Sequence, residues 1–194
     1  MNLFVQKSTG EDELIEGCKK NHPKSQRDLY ERFSGKMYSL CLRYIKEETE
    51  AEDVLVGGFM KIFNKIEQYQ REGSFEGWIR KIMVNESLQY IRQNKNMYLQ
   101  VDIENAQYTF NTDAVESQLA AEDLLKMVGR LPMGYRTIFN LYAIEGYSHQ
   151  EIADMLDISV NTSKSQLSRA RALLQKTLSS VSGILKEKEI SHEG

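Results

Sequence analysis

Between Ile158 and Lys186 the chain carries five cations, Lys164, Arg169, Arg171, Lys176 and Lys186, and no Asp or Glu. In a protein whose formal net charge is −3, that segregation is unlike an ordinary solvated helix and marks a face that expects a polyanion. The spacing predicts a helix whose inward side is Val160, Leu167, Ala170 and Leu174, which leaves Asn161, Thr162, Lys164, Ser165, Ser168 and Arg169 facing outward. Cations interleaved with hydroxyl and amide groups are what a helix needs to enter the major groove of DNA.

Such a helix has to be held by its neighbours, and the preceding residues supply the means. Ser148 and Glu151, three apart ahead of an apolar series, form a capping box that starts a short helix. Ile152, Ala153 and Leu156 share one face of it, and small Ala153 lets a second helix cross closely. Asp157 tolerates the left-handed conformation that ends the first helix, Ile158 plugs the turn, and Ser159 caps the next. The pattern from Tyr147 to Arg171 is therefore helix-turn-helix. A hairpin whose basic side serves only solubility is the plain alternative, and the charge segregation counts against it.

At 194 residues with 41% hydrophobic content, the chain can form one domain or two small ones with real cores, and two small helical domains fit best. Two prolines and the lack of strand-like alternation predict an all-α fold. A pI near 5.7 looks wrong for a DNA-binding protein until the charge is divided along the chain. Residues 98 to 125 hold Asp102, Glu104, Asp113, Glu116, Glu122 and Asp123 without a cation, a local charge of −6. Residues 79 to 97 hold Arg80, Lys81, Arg92 and Lys95 against Glu86, a local charge of +3.

Cys18 and Cys41 stand in no metal-ligand spacing and fit a reducing cytoplasm. No run reaches the roughly 20 apolar residues that cross a bilayer, and the first residues lack a signal peptide's apolar core, so a soluble cytoplasmic protein is expected. His22, His149 and His192 are scattered, with no HExxH, Walker loop or nucleophile elbow. The reading is of no catalytic residue, no metal and no cofactor, with His149 a surface residue beside a cap.

The spacing predicts an N-terminal helical domain over 11–94, a flexible acidic linker over 95–116 and a C-terminal domain over 117–185. In the first, a helix over 11–21 (Leu14, Ile15, Cys18) restarts at Pro23, with Leu29, Tyr30, Phe33, Met37, Tyr38, Leu40, Cys41, Tyr44 and Ile45 inward. A helix over 51–68 begins after acidic residues that suit a helix N-terminus. It buries Val54, Leu55, Phe59, Ile62, Phe63 and Ile66, with Gly57 and Gly58 at its middle calling for either close packing or a weakened helix. After a loop from Arg71 to Ser74, a fourth helix turns Phe75, Trp78, Ile79, Ile82, Met83, Leu88 and Ile91 inward. The C-terminal domain starts with Leu119, Leu124, Leu125, Met127 and Val128, turns at Leu131 and Pro132, and continues through Ile138, Phe139, Leu141, Tyr142 and Ile144 to Gly146.

Four segments in this order, AEDVLVGGFMKIF (51 to 63), SFEGWIRKIMVN (74 to 85), LPMGYRTIFNLYAIEGYSHQEIADML (131 to 156) and TSKSQLSRAR (162 to 171), resemble bacterial sigma factors of the extracytoplasmic-function type. The resemblance spans nearly the whole chain, and its wording is most similar to factors from Bacteroidetes-type bacteria. It implies a sigma region 2 bundle and a sigma region 4 helix-turn-helix domain. It further implies a promoter-specific initiation factor that binds core RNA polymerase through the β′ coiled coil and the β flap, recognises −35 and −10 type elements and assists promoter opening.

By position, the resemblance places Asp53, Phe59, Lys61 and Phe63 at the polymerase contact, although at helical spacing the aromatics equally suit the core. It places Trp78, Arg80, Lys81 and Asn85 at the −10 type element, where stacking surfaces, cations and an amide suit an extruded base. Phe75 reads as core, and Asn85, an amide within an apolar helix, requires a partner. Thr162, Lys164, Ser165, Ser168, Arg169 and Arg171 fall at the −35 type element, where Lys164 and Arg169 can read guanine edges and the others hold phosphates. The chain departs from the family at Val56 and Gly57, where a polar, acidic pair is usual, and at Lys164 and Ser168, where Arg and a bulkier residue are common.

The resemblance also implies that the acidic linker imitates nucleic acid in polymerase channels, so that reversing Asp102, Glu104 and Asp113 to Lys weakens core binding or initiation. A membrane-anchored anti-sigma protein is a partner that factors of this type often have, and the free chain is expected to be monomeric. A polymerase-independent, dimeric helix-turn-helix regulator and a degenerate decoy factor are the competing readings. The first leaves SFEGWIRKIMVN without a role, and the second is motivated by Val56, Gly57 and Gly58.

Overall fold

The computed structural model describes residues 9–94 and 121–192, and every regular element among the described residues is helical. The residues divide into two compact units, Met1–Ile91 and Arg92–Gly194. The acidic segment 95–116, with Asp102, Glu104 and Asp113, lies outside the described residues, as does Leu119.

In the first unit, α1 (Thr9–Lys19) ends as Asn21 enters the left-handed region (φ 56°), and Pro23 occupies the first turn of α2 (Pro23–Tyr44), where its missing N–H costs nothing. The inward stripe of α2 is Leu29, Phe33, Met37, Leu40, Cys41 and Tyr44. Tyr30, expected inside, is exposed, and its ring lies 4.7 Å from that of Phe59. Burial pushes both the Cys18 and Cys41 thiols up to about 11, so neither is a reactive thiolate near neutral pH.

The next helix, α3 (Glu48–Lys65), has Glu48 and Glu50 in its first turn and continues into a 3₁₀ turn, Ile66–Gln68. Its two glycines have different reasons. A Cβ on Gly58 would collide with Met83 of the following helix, reaching its Cε at 2.7 Å, so Gly58 lets a fully buried Met83 pack against the α3 backbone. A Cβ on Gly57 would meet nothing within 4 Å. Close packing therefore explains Gly58 and not Gly57.

The loop into α4 (Phe75–Gln93) reverses direction through two left-handed residues, Arg71 (φ 62°) and Gly73 (φ 80°). Tyr69 Oη donates to Gly73 O at 3.1 Å, and the Ser74 hydroxyl accepts from Gly77 N at 3.0 Å, capping α4. The Arg71 guanidinium reaches back to α1 at Asp12 (2.8 Å) and Glu16 (3.3 Å). Lys19 and, after it, Arg71 hold the Glu16 carboxyl below its ordinary range. Phe75, Ile79, Met83, Val84 and Leu88 fill the core from α4, while Trp78, Ile82 and Ile91, expected inside, are half-buried.

In the second unit, α5 (Ala121–Arg130) contributes Met127 and Val128 to a cluster with Leu131, Ala170 and Leu174, to which Tyr135, Phe139, Leu173 and Leu178 add their partly buried faces. Leu124 and Leu125, expected inside, are exposed instead. Pro132 precedes α6 (Met133–Phe139), which widens into a turn of π-helix, Asn140–Ile144, where Glu145 N bonds to Asn140 O at 2.9 Å. The sequence pattern reads this stretch as ordinary helix. Gly146 (φ 80°) then closes it. Arg136, 1% exposed, donates from Nη1 to Gly129 O at 3.1 Å and so ties α6 to the end of α5.

Candidate nucleic-acid interface

The helix-turn-helix forms as its caps require. At the start of α7 (His149–Leu156) the Ser148 hydroxyl accepts from Glu151 N at 3.3 Å, and Ser148 N donates to the Glu151 carboxylate at 2.8 Å, completing the box. Asp157 adopts the left-handed conformation (φ 55°, ψ 52°), and Ile158 N bonds back to Ala153 O at 3.1 Å. Ser159 then caps α8 (Val160–His192) by accepting from Thr162 N at 3.0 Å. Ile152, Ala153, Leu167 and Ala170 are buried, so α8 is fixed by apolar packing on one side.

On the other side, Asn161, Lys164, Ser165, Ser168, Arg169 and Arg171 are exposed. Among the described residues no carboxylate pairs with Lys164 or Arg169. Their charge faces water, where it is open to phosphates that would neutralise it. Two hydroxyls predicted for DNA are partly committed: Thr162 Oγ1 lies 2.8 Å from Ser159 Oγ, and Ser165 Oγ donates to Thr162 O at 3.0 Å. Arg171 holds its guanidinium 5.6 Å from the centre of the Tyr142 ring.

Two residues of this site escaped sequence reasoning. Ser163, fully buried, bonds to His149 Nδ1 at 2.9 Å, and the His149 ring stacks on Tyr142 at 4.5 Å with 24° between planes. His149 is therefore half-buried and engaged, not the surface residue expected beside a cap. The alternation of small polar residues from Asn161 to Ser165 conceals which of them turns inward, and only helical phase against Leu167 and Ala170 would have marked Ser163.

On α4, Lys81 and Asn85 stand one turn apart and both face solvent. Asn85 is thus not a buried amide in need of an internal partner, as its apolar setting suggested, and its amide is open to an external one. Trp78 is half-buried, one side of its indole against Phe75 (5.9 Å, 12° between planes) and Tyr69 (5.5 Å). Arg80 is half-buried, and Phe75 belongs to the core as expected.

The predicted polymerase contacts on α3 separate. Asp53 is exposed, but Phe59 is 2% exposed and packs on Tyr30 and Phe63, which places it in the core and off any docking face. Phe63 is half-buried, its ring centre 6.2 Å from that of Phe59. Lys61 Nζ lies 2.7 Å from the Glu86 carboxylate and donates to Gln89 Oε1 at 2.9 Å, so its charge ties α3 to α4. The outer face of α3 instead presents Val56 and Met60, 51% and 61% exposed, one turn apart and beside Asp53. An exposed apolar pair i, i+4 was visible in the sequence only as a departure at Val56 and Gly57.

Two protein-family models match the chain: Sigma-70 region 2 over residues 29–97 and Sigma-70, region 4 over residues 121–174. The chain is similar to the ECF RNA polymerase sigma-E factor of Haemophilus influenzae, 27% identical over 174 residues that cover 84% of this chain and 92% of that protein. It is likewise similar to the ECF RNA polymerase sigma factor SigW of Bacillus subtilis, 28% identical over 176 residues, covering 84% and 94%. A solved structure of the sigma factor RpoE from Bartonella quintana, in complex with the anti-sigma factor NepR, aligns with 79% of this chain and 98% of that one at 20% identity and a TM-score of 0.48.

Proposed function

Since the chain belongs to the sigma-70 family of transcription initiation factors, in its extracytoplasmic-function branch, we propose that it selects promoters for core RNA polymerase through three separate surfaces. The outer face of α3 docks on polymerase, through the β′ coiled coil, with Val56 and Met60 as apolar anchors and Asp53 and the edge of Phe63 beside them. Val56 stands where the family usually has one of a polar, acidic pair, and with Met60 it makes the contact apolar, so the contact is rebuilt and not lost. Lys61 serves the same face indirectly, by fixing α3 against α4.

The open face of α4 receives unpaired DNA at the −10 type element. Lys81 and Arg80 attract the phosphates, the exposed side of Trp78 stacks on a base, and the Asn85 amide reads a base edge. The recognition helix α8 enters the major groove at the −35 type element, where Lys164 and Arg169 reach base edges and Thr162, Ser165, Ser168 and Arg171 steady the backbone. The observation that carries this reading is the α8 face itself: exposed cations without carboxylate partners on the buttressed second helix of a helix-turn-helix.

In this reading the chain is not a catalyst. It supplies binding and positioning, and polymerase performs the chemistry. It acts in the cytoplasm, as a monomer when free. A membrane-anchored anti-sigma protein is the proposed source of regulation.

Run-off transcription with the purified chain and sigma-free core polymerase on fragmented genomic DNA tests the proposal. Discrete new starts that share two upstream motifs are the expected result. Core binding without new starts would favour a decoy, and operator binding without any affinity for core would favour an independent regulator.

A further inference from the structure

Tyr142, His149 and Ser163 make a connection that nothing in DNA contact requires. Tyr142 comes from the π-helical turn, His149 opens α7, and Ser163 lies on the buried side of α8. The two rings stack at 4.5 Å, and His149 Nδ1 meets Ser163 Oγ at 2.9 Å. The far side of the connection returns to α8, because Arg171 lays its guanidinium 5.6 Å from the Tyr142 ring centre. Ser163 and Arg171 are eight residues apart, about two turns or roughly 12 Å along the helix. The ring pair thus touches the recognition helix at two points, which restrains its tilt and its rotation together, whereas a single contact would leave one of them free.

We propose that His149 is a positioning residue for promoter reading, which sets the azimuth of the recognition helix through Ser163 without itself contacting DNA. The inference rests on the reading of α8 as the promoter-recognition helix. Ser163 is the immediate neighbour of Lys164, so an error in its seat is an error in where Lys164 points. A rotation of about 20° displaces a group roughly 6 Å from the helix axis by about 2 Å, more than a hydrogen bond to a base edge tolerates. The polar chemistry suits the task. A buried hydroxyl must find a partner, and an imidazole nitrogen in one orientation satisfies it where apolar contact would accept many. Either ring tautomer can make the bond, since the hydroxyl can donate to Nδ1 or accept from it.

Three single variants separate the parts of the brace. Ser163→Ala removes the bond and keeps the stack, His149→Phe does the same from the other side, and His149→Asn retains a group at the Nδ1 position without the full ring. The readout is run-off transcription by reconstituted holoenzyme on the cognate promoter and on single-base variants of its −35 type element, with melting temperature recorded for each chain. Ser163→Ala and His149→Phe are expected to lower the ratio of cognate to variant transcription about fivefold each, and their combination no further, because both delete one bond. His149→Asn, which restores a partner for Ser163 but not the stack on Tyr142, is expected to recover part of the ratio, and no recovery would overturn the assignment to the bond.

Unchanged ratios, or losses that add in the double variant, would overturn the proposal. So would a uniform fall on all promoters in step with melting temperature, the mark of a merely structural role. Amide exchange on the free full chain provides a polymerase-independent arm. Protection over residues 161–165 should fall about fivefold in Ser163→Ala while α3 is unchanged, and equal protection in wild type and variant would likewise overturn it. A wild-type chain that starts no transcription would count against the proposed function alone.

Discussion

The outer faces of α3 and α8 are both exposed, yet they leave opposite chemistry unsatisfied. On α3 Lys61 is committed, paired with Glu86 and bonded to Gln89, and the outer face leaves the apolar Val56 and Met60 in water beside the exposed Asp53. On α8 the apolar residues are spent on the core and what remains is charge, Lys164 and Arg169. The difference teaches what kind of partner each face awaits. Exposed apolar side chains gain by leaving water against another protein, with little dependence on salt, while unpaired cations gain by displacing counterions from a polyphosphate, with strong dependence on it. Net charge averaged over the chain hides this, because it does not show which cations packing has already paired and which it leaves open.

Removing the charge from α8 should show the largest effect. Lys164→Ala combined with Arg169→Ala should reduce transcription from the cognate promoter on the order of 100-fold at near-physiological salt, with core affinity unchanged, as read by run-off assay and by competition for core. An equal loss on every promoter would demote both residues from base readers to phosphate ligands. A smaller effect should follow from the apolar pair. Val56→Ala with Met60→Ala should weaken core binding roughly tenfold, nearly independently of salt, whereas Lys61→Ala should change it less than about twofold. Should Lys61→Ala prove the more damaging, the division between spent and unspent groups on α3 would fail.

The smallest effect sharpens the comparison within α3 itself. Gly58→Val must displace Met83 from a full core and should cost about 1–3 kcal/mol in thermal or denaturant unfolding. Gly57→Ala, with open space before it, should instead gain about 1 kcal/mol from helix propensity. Equal responses at the two positions would mean that the α4 side chain is not what requires a glycine.

Much of the fold was legible because it is written locally. The capping box at Ser148 and Glu151, the left-handed stop at Asp157 and the cap at Ser159 involve residues within five positions of one another, and each formed as its spacing predicts. Inward stripes were legible where large apolar residues recur at helical period, as for Phe33, Met37, Ile79 and Leu167. Errors gathered where a stripe is wider than the core that receives it: Tyr30, Leu124 and Leu125 are apolar and in phase, yet exposed. Asn85 failed for the opposite reason, a polar residue among apolar neighbours whose own direction is outward. The π-helical turn at Asn140–Ile144 leaves no mark in periodicity, since it shifts phase by a fraction of one turn.

By itself, then, the order of residues determined the helical class, the helix-turn-helix, its cationic face and the family to which the whole belongs. Those depend on contacts between near neighbours or on charge that can be counted along the chain. Only the tertiary structure decided that Phe59 is core, that Lys61 is committed to Glu86, that Gly58 makes room for Met83 and that His149 reaches Ser163. Each of these is a choice between partners brought together by packing, and whether a side chain is available for function depends on whether a partner distant in sequence has already satisfied it.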